Sequence, residues 1–331
     1  MKAYLPELGL DEWDAAKAVF ECAVTLVDAR FHGRASFAGA KFKGEANFAN
    51  ATFEAEADFG AVSFEQGANF GKATFKQRAF FKETQFKLEE AVSASTTYFN
   101  GAQFEGAAVF LRTRFHDVVF DEARFGKTAN LEHAQSAGKI SFKEAKFDGS
   151  FDLTHLRCGG DLDLTATQFE AYTQWFDAWV YKDILLRSAT FTHYFDATSF
   201  WCNRFIASRA SWQAGAQMSF DKNSDIYLDQ ASFGQPSLLF TQMDSERSAL
   251  LMQHGRGAER PTYPRLISVR GANLEKLTIS GLDMSACRFV DSHNLDKLRL
   301  EGRETFALTP SSRLWTHRIV IAEEHSEFRR S

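Results

Sequence analysis

Acidic side chains concentrate in the middle third of the sequence and are the first candidates for chemistry. Residues 154–250 contain eleven Asp and Glu against seven Lys and Arg, a net charge of −4. Asp161 and Asp183 are 22 residues apart, and Asp163 lies beside the first of them. Stacked like charges destabilise a sheet, so their proximity would indicate a role in binding a partner. The alternative is that these carboxylates lie on different edges of the fold and are hydrated.

A second possible site is the spacing of His155 and Cys158, with Asp161 three residues further on. A metal site usually needs three or four ligands at a recognisable spacing, and we expect Cys158 to point into the core. Residues 323–325 fall on a predicted helix, where adjacent side chains face different directions. Motifs typical of phosphate-binding loops, serine hydrolases and zinc proteases are missing from the sequence. The sequence therefore predicts no catalytic residues, no metal ligands and no cofactor.

A weakly basic stretch follows the acidic third. Arg247, Arg256 and Arg260 lie where the surrounding periodicity is lost, and residues 251–331 carry a net charge of +3. Loops on rigid scaffolds often carry binding residues, so these arginines are candidates for contact with a partner. The excess of cations is small beside the basic tracts of nucleic-acid binders, so we expect no direct nucleic-acid binding. An ordinary solvated loop is the alternative.

The elements that position these side chains are predicted from a sequence repeat, which is clearest in residues 33–87. It consists of five lines, GRASFAGAKFK, GEANFANATFE, AEADFGAVSFE, QGANFGKATFK and QRAFFKETQFK, each with phenylalanine at its fifth and tenth positions. Self-similarity at a fixed period is typical of repeat architectures. The alternating spacing, five and then six, fits neither a helix nor a flat alternating strand.

A chain that turns a corner every five or six residues closes a four-sided coil, and two lines of eleven residues make one coil of 22. Successive coils then stack at the ~4.8 Å spacing of β-strands. This period places Phe37 directly on Phe59 in the core, and Glu54 over Lys76 outside it, a pair of opposite charge. The predicted core columns contain Phe37, Phe42, Phe48, Phe53, Phe59, Phe64, Phe70, Phe75, Phe81 and Phe86.

The triplets that end at Phe48, Phe59 and Phe70 read Ala-Asn-Phe, Ala-Asp-Phe and Ala-Asn-Phe. They resemble the unit of the pentapeptide-repeat proteins, often written A(D/N)LXX, with phenylalanine in place of the usual central leucine. Ala-Asn-Leu274 carries the commoner form. The resemblance covers most of the chain and implies an all-β fold, a right-handed quadrilateral β-helix. It says little about function, because one fold serves many functions.

The rhythm also divides the chain. We expect short terminal helices to cap the solenoid, the first from Asp11 to Glu21. After Phe86 the rhythm slips by two residues and resumes at Phe99. The predicted segments are an N-terminal cap over 1–25, the β-helix over 26–240, an excursion over 241–265, final coils over 266–300 and a C-terminal helix over 301–331.

The predicted C-terminal helix carries Trp315, Ile319 and Phe328 on its apolar side. It either folds back as a cap on its own coil or pairs with a second chain. Members of the resembled family commonly dimerise through C-terminal coils and helices, so we expect a homodimer contact at these residues.

Composition limits the cellular setting. No apolar run approaches the ~20 residues of a membrane span. Residues 1–20 carry acids and lack the apolar region of a signal peptide. The four cysteines show no CxxC spacing, which favours reduced thiols. We therefore expect a cytoplasmic protein without a membrane span.

Three functions remain open. The leading hypothesis is a non-enzymatic β-helical scaffold that binds a protein partner through the excursion or an end. The second comes from the resemblance: the best-known members imitate B-form DNA with an acidic surface, occupy type II topoisomerases such as gyrase, and protect them from quinolones. A duplex carries one charge per ~1.7 Å, whereas charges of both signs alternate on the first coils here. A β-helical enzyme is the third.

Overall fold

The computed structural model describes residues 12–86, 96–221, 224–241, 263–301 and residue 306. Within these ranges the chain is a parallel β-solenoid of about 12 coils, and its short strands form four parallel sheets. The one helical element in the described ranges is a 3₁₀ turn at Leu295–Lys297. The all-β solenoid predicted from the sequence is confirmed.

The four sheets are numbered here in the order in which the chain first visits them. Sheet 1 contains Glu12–Asp14, Arg34–Ser36, Ala57–Asp58, Ala79–Phe80, Ala108–Val109, Ala129–Asn130, Phe151–Asp152, Thr173–Phe176, Phe195–Phe200, Ala216–Phe220, Ser237–Thr241, Leu277–Ser280 and Arg299–Glu301. Sheet 2 contains Val19–Phe20, Lys41–Phe42, Ser63–Phe64, Gln85–Phe86, Arg114–Phe115, Gln135–Ser136, Arg157–Cys158 and Trp179–Val180. Sheet 3 contains Val24–Thr25, Ala46–Asn47, Ala68–Asn69, Thr96–Tyr98, Asp117–Val119, Ile140–Ser141, Leu162–Asp163, Asp183–Leu185, Arg204–Ile206, Asp225–Tyr227 and Arg265–Ser268. Sheet 4 contains Arg30–Phe31, Thr52–Phe53, Thr74–Phe75, Gln103–Phe104, Arg124–Phe125, Lys146–Phe147, Gln168–Phe169, Thr190–Phe191, Ser211–Trp212 and Ser232–Phe233.

Strand pairing confirms the register that the phenylalanine spacing predicts. Ala35 pairs with Ala57 in sheet 1. Phe37 lies on Phe59 with ring centroids 4.9 Å apart and ring planes 6° from parallel. Neighbouring columns meet edge-on, as Phe37 and Phe48 do at 5.5 Å and 82°. Edge-to-face contacts are favoured for aromatic rings, and stacking continues each column along the axis, so one residue type fills this core.

The residue before each phenylalanine shapes a corner of the coil. Asn47 Oδ1 accepts a hydrogen bond from the backbone N–H of Ala49 at 3.0 Å. The carbonyl of Phe48 accepts one from the N–H of Ala51 at 3.1 Å. Between them Asn50 has a φ of 57°, as the third residue of a type II turn requires. The Asn or Asp of the repeat is therefore first a turn-forming residue.

Some coils depart from the length of the first repeats. Phe99 stacks on Phe70 at 4.9 Å, so this coil is longer than those before it and contains the interruption after Phe86. The prediction of a two-residue slip was wrong: the next described strand, Thr96–Tyr98, belongs to the next sheet, where Tyr98 pairs with Asn69, 29 residues earlier. Phe120 stacks on Phe99, also at 4.9 Å, in a coil slightly shorter than the first ones. The core columns continue through both changes because the length varies outside the strands.

The first coil begins earlier than predicted. Glu12–Asp14 pairs with Arg34–Ser36 in sheet 1, and Phe20 stacks on Phe42 at 4.5 Å. The helix predicted over residues 11–21 was therefore wrong, and residues 12–25 belong to the solenoid. Their apolar spacing fits a helix as well as a coil. The open edge of the next coil favours strands because it offers hydrogen-bond partners to the backbone.

The predicted excursion and C-terminal helix lie almost entirely outside the described residues. Sheet 3 resumes at Arg265–Ser268, which pairs with Asp225–Tyr227 of the preceding coil. The final coils are present, since Leu300 pairs with Ile279 in sheet 1. The regular coil therefore accommodates both a long interruption and a return to register.

Candidate functional site

The predicted acidic pair, Asp161 and Asp183, lies on neighbouring coils, where two adjacent strands of sheet 3 begin. Asp161 Oδ1 accepts the backbone N–H of Asp183 at 3.1 Å. Asp183 in turn binds the guanidinium of Arg204 on the next coil, whose Nε is 3.0 Å from each carboxylate oxygen. This hydrogen-bonded pair raises the pKa of Arg204. The repulsion expected between stacked acids is therefore offset by an arginine and a backbone amide.

Asp163 and its neighbours also have structural partners. Asp163 Oδ1 accepts the N–H of Thr165 at 3.1 Å, and its Oδ2 lies 3.2 Å from Lys143 Nζ. Further along sheet 3, Arg265 binds both oxygens of Asp225, with its Nε and Nη2 each 2.7 Å from one of them. Asp163, Asp183 and Asp225 are therefore part of the ion pairs of this sheet rather than of an open anionic surface.

His155 and Cys158 do not share a site. Burial raises the pKa of the Cys158 thiol to about 12, so the side chain behaves as part of the core. His155 lies at a corner of the coil, where its Nδ1 is 2.9 Å from Asp177 Oδ2. Among the described residues, no three His, Cys, Asp or Glu side chains come together in a way that would hold a metal ion.

The remaining predicted contact residues fall outside the described ranges. They are Arg247, Arg256 and Arg260 of the excursion and Trp315, Ile319 and Phe328 of the C-terminal segment. Their roles in partner binding and dimerisation stay predictions.

The structure shows a different surface that the sequence analysis did not predict. Four of the eight large apolar side chains exposed in the described ranges lie within residues 172–194. Tyr172, Phe176, Tyr181 and Tyr194 are 43%, 44%, 48% and 41% exposed. A cluster of exposed aromatic rings on one part of a molecule is typical of a binding surface.

Three of these four rings project from one flat part of sheet 1. There the strands alternate inward and outward residues, and Gln174 pairs with Asp152 on one side and Asp196 on the other. We refer to the outward residues of these three neighbouring coils as the aromatic face: Ser150, Asp152, Thr154, Tyr172, Gln174, Phe176, Tyr194, Asp196 and Thr198.

The aromatic face contains no lysine or arginine. The strand before it presents Thr128, Asn130 and Glu132 at the corresponding positions. The strand after it presents Gly215 and Gln217. Five consecutive coils of sheet 1 thus present polar, aromatic and acidic groups without a cation among the outward positions named.

Asp196 is the electrostatic centre of this face. Its Oδ1 is buried and has no hydrogen-bond partner among the described residues. Loss of hydration raises the pKa of Asp196, and a hydrogen bond with Thr198 opposes part of that rise. Loss of hydration and then the nearby Asp196 carboxylate raise the pKa of both Tyr172 and Tyr194. A carboxylate with a reduced hydration shell therefore lies close to two exposed phenol rings.

A second cluster lies around the corner, between sheet 1 and sheet 2. Arg157 Nη2 is 3.0 Å from Asp177 Oδ2, and its guanidinium lies 5.0 Å from the centroid of the Trp179 ring. Trp179 Nε1 donates to Asp177 Oδ1 at 3.2 Å. The ring of His155 meets Phe176 edge-on at 5.9 Å. This corner links the aromatic face to a network in which acid, arginine and aromatic ring satisfy one another.

Sequence analysis missed the aromatic face because it followed the core columns. Trp175 lies in a core column and is fully buried, whereas its neighbour Phe176 is outside the columns and is exposed. The distribution of tyrosine and tryptophan could have indicated this region: three of the seven tyrosines and three of the six tryptophans lie within residues 172–201. This density of tyrosine and tryptophan distinguishes these coils from the phenylalanine-rich first repeats.

The fold and its corners define a parallel β-solenoid built from short phenylalanine-centred repeats. The family described as pentapeptide repeats (9 copies) matches residues 15–63, 37–85 and 99–138. These stretches of the chain are pentapeptide repeats, as the resemblance in the sequence predicted. No curated protein matches the chain. In the described part of the chain, no helix is long and apolar enough to cross a membrane.

Proposed function

We propose that this protein is a non-enzymatic scaffold that binds a protein partner through its aromatic face. The observation that carries the proposal is the cluster of exposed rings at Tyr172, Phe176 and Tyr194 on a part of sheet 1 whose outward residues include no lysine or arginine. Tyrosine and other aromatic residues are enriched at binding surfaces, where they provide large contact areas with little loss of side-chain entropy. The right-handed, quadrilateral coil implied by the family and the expected C-terminal helix are part of the same proposal.

The binding surface in this proposal differs from the one expected from sequence. The excursion or an end was the expected contact, with Asp161, Asp163 and Asp183 as further candidates, whereas the aromatic face lies on the side of the central coils. A solenoid side suits a partner because its strands cannot shift independently, so the rings are held at fixed spacing. The paired state of Asp163, Asp177 and Asp183 supports a structural rather than catalytic role for these acids.

A topoisomerase mimic is the alternative that the family suggests. It needs a long stripe of uncompensated negative charge. The ion pairs of Asp183 with Arg204 and of Asp225 with Arg265 reduce that charge along sheet 3. A supercoiling assay with gyrase distinguishes the two: the scaffold leaves activity and quinolone sensitivity unchanged, whereas a mimic inhibits supercoiling. The homodimer predicted at Trp315 is tested separately by the mass of the chain in solution.

The scaffold proposal is tested by capture from the source cell with three tagged proteins. These are the native chain, a triple variant Tyr172→Ser, Phe176→Ser, Tyr194→Ser, and Tyr98→Ser as matched control. Tyr98 is 43% exposed on sheet 3, away from the aromatic face. We expect at least one protein to be retained by the native chain and the control, and lost from the triple variant. If all three retain the same proteins, the aromatic face is not the binding surface.

A further inference from the structure

The Asp196 carboxylate has an incomplete set of partners. One oxygen interacts with Thr198, and Oδ1 has no hydrogen-bond donor among the described residues. A buried acceptor without a donor destabilises the fold, and more so when the group is charged. A donor supplied from outside would recover that free energy on binding.

The aromatic rings beside Asp196 limit the chemistry of that donor. Tyr172 and Tyr194 occupy the same outward position on adjacent coils, because their neighbours Thr173 and Phe195 pair in the sheet. Neighbouring strands lie about 4.8 Å apart, so the two tyrosines are adjacent on the surface of sheet 1. The faces of aromatic rings attract cations, and arginine also stacks on them through its planar group.

The same molecule contains a complete version of this arrangement. At the adjacent corner Arg157 binds Asp177 at 3.0 Å while it lies over the Trp179 ring at 5.0 Å. Acid, aromatic ring and arginine are all present there. At Asp196 the acid and the rings are present, but the aromatic face and the flanking outward positions of sheet 1 contain no lysine or arginine.

We propose that Tyr172, Tyr194 and Asp196 form a binding site for an arginine side chain carried by a peptide segment of the partner. The proposal rests on the proposed scaffold function and names the chemistry of its partner. The guanidinium donates to Asp196 and stacks against the tyrosine rings. Both rings are more than 40% exposed and can rotate to admit it. Asp152, one coil before Gln174, adds a second negative charge at the edge of the site.

Hexa-arginine amide is the probe for this site, with hexalysine and hexacitrulline as comparison peptides. Citrulline keeps the shape of arginine and removes its charge. Binding is measured by isothermal titration calorimetry at low salt for the native chain, for Asp196→Asn and for Asp58→Asn. Asp58 is the matched control: it lies in the same outward column of sheet 1, and its Oδ2 is already 3.3 Å from Arg34 Nη2.

We expect Asp196→Asn to weaken hexa-arginine binding at least tenfold and Asp58→Asn to change it less than twofold. Hexacitrulline should not bind, and hexalysine should bind more weakly because an ammonium group does not stack. Equal losses in both variants would show diffuse attraction to a chain of net charge −5 and would overturn the site. Equal binding of hexalysine and hexa-arginine would overturn its preference for arginine.

A second readout separates the site from the scaffold function. If capture depends on the aromatic face but hexa-arginine binding does not depend on Asp196, the scaffold stands and the arginine site fails. If hexa-arginine binding depends on Asp196 but the triple variant captures the same proteins as the native chain, the arginine site stands and the scaffold proposal fails. Thermal unfolding of each variant, followed by circular dichroism, confirms that the solenoid is intact.

Discussion

Sheet 1 presents two different surfaces on the same backbone register. In its first coils, between residues 34 and 80, the outward residues include paired charges: Arg34 lies 3.4 Å from Glu56 and 3.3 Å from Asp58. The outward ring of Phe80 in these coils is covered by the guanidinium of Arg78, 5.2 Å from its centroid. Between residues 150 and 198 the outward residues are aromatic, polar or acidic, without cations. The inward positions remain buried in both regions. The comparison shows that the core sets the coil, while the outward positions are free to specialise.

The two regions also differ inside. In the first region one core column contains phenylalanine on successive coils, namely Phe37 and Phe59. In the second region the residues of one column are Leu153, Trp175 and Ala197, all fully buried. A large ring beside small neighbours fills the same cross-section in another way. The outward rings of the second region therefore do not replace missing core, and their exposure needs a separate explanation.

The largest expected effect contrasts an inward and an outward phenylalanine. Phe59 is fully buried between Phe37 and Phe81 at 4.9 and 5.0 Å, and Phe176 is 44% exposed. Phe59→Ala should lower the free energy of unfolding by about 3–5 kcal/mol. Phe176→Ala should lower it by less than about 1 kcal/mol. Urea unfolding followed by circular dichroism measures both; similar losses would remove the distinction between core and face.

The next effect tests whether the sheet 3 acids are structural. Arg204→Ala leaves Asp183, whose side chain is only 13% exposed, without its guanidinium. We expect a loss of about 1–3 kcal/mol. Lys182→Ala removes an exposed cation next to Asp183 and should change stability by no more than about 0.5 kcal/mol. An Arg204 variant as stable as the Lys182 variant would mean that the ion pair is not needed.

A smaller effect concerns the cost of Asp196 itself. Burial raises its pKa in the folded chain, so the folded state holds the proton more tightly than the unfolded chain does. The charged carboxylate therefore destabilises the fold as pH rises from the ordinary Asp range through the folded pKa, and that penalty is absent below the ordinary range. Asp196→Asn should raise the melting temperature at pH 7 and leave it unchanged near pH 3. A lower melting temperature at pH 7 would contradict the account.

The smallest effect tests what the two regions share. Ala61 and Ala166 occupy the third position of equivalent turns, with φ values of 53° and 58°. Ala61→Gly and Ala166→Gly relieve the same backbone strain, offset by the greater freedom of glycine in the unfolded chain. Both should raise stability by less than about 1 kcal/mol, and by the same amount. A large difference between the two would mean that the corners are not equivalent.

The fold was predictable because its regularity lies in the core. Phe37 and Phe59 are inward on successive coils, so their spacing gives the coil length directly. The helix predicted over residues 11–21 failed because two apolar spacings fit that stretch and only the neighbouring coil decides between them. The prediction for the interruption after Phe86 failed for a similar reason, since the spacing from Phe86 to Phe99 fits more than one number of turns of the chain.

The candidate site was not predictable to the same degree. Outward residues such as Tyr172 and Asp196 have no period of their own, because solvent accepts almost any side chain there. The coil length of 22 residues would place Tyr172 beside Tyr194, but only the structure shows that both rings are exposed. The acids that did follow the period, Asp161 and Asp183, proved to be bound to the fold itself.

Site-specific photo-crosslinking tests the central claim, that one part of sheet 1 is a binding surface and the rest is not. The photoreactive residue p-benzoylphenylalanine replaces Phe176 in one protein and Phe80, the outward aromatic of an earlier coil, in another. After irradiation in the source cell, we expect a discrete protein adduct at position 176 and none at position 80. Adducts of equal yield at both positions, or at position 80 alone, would contradict the account.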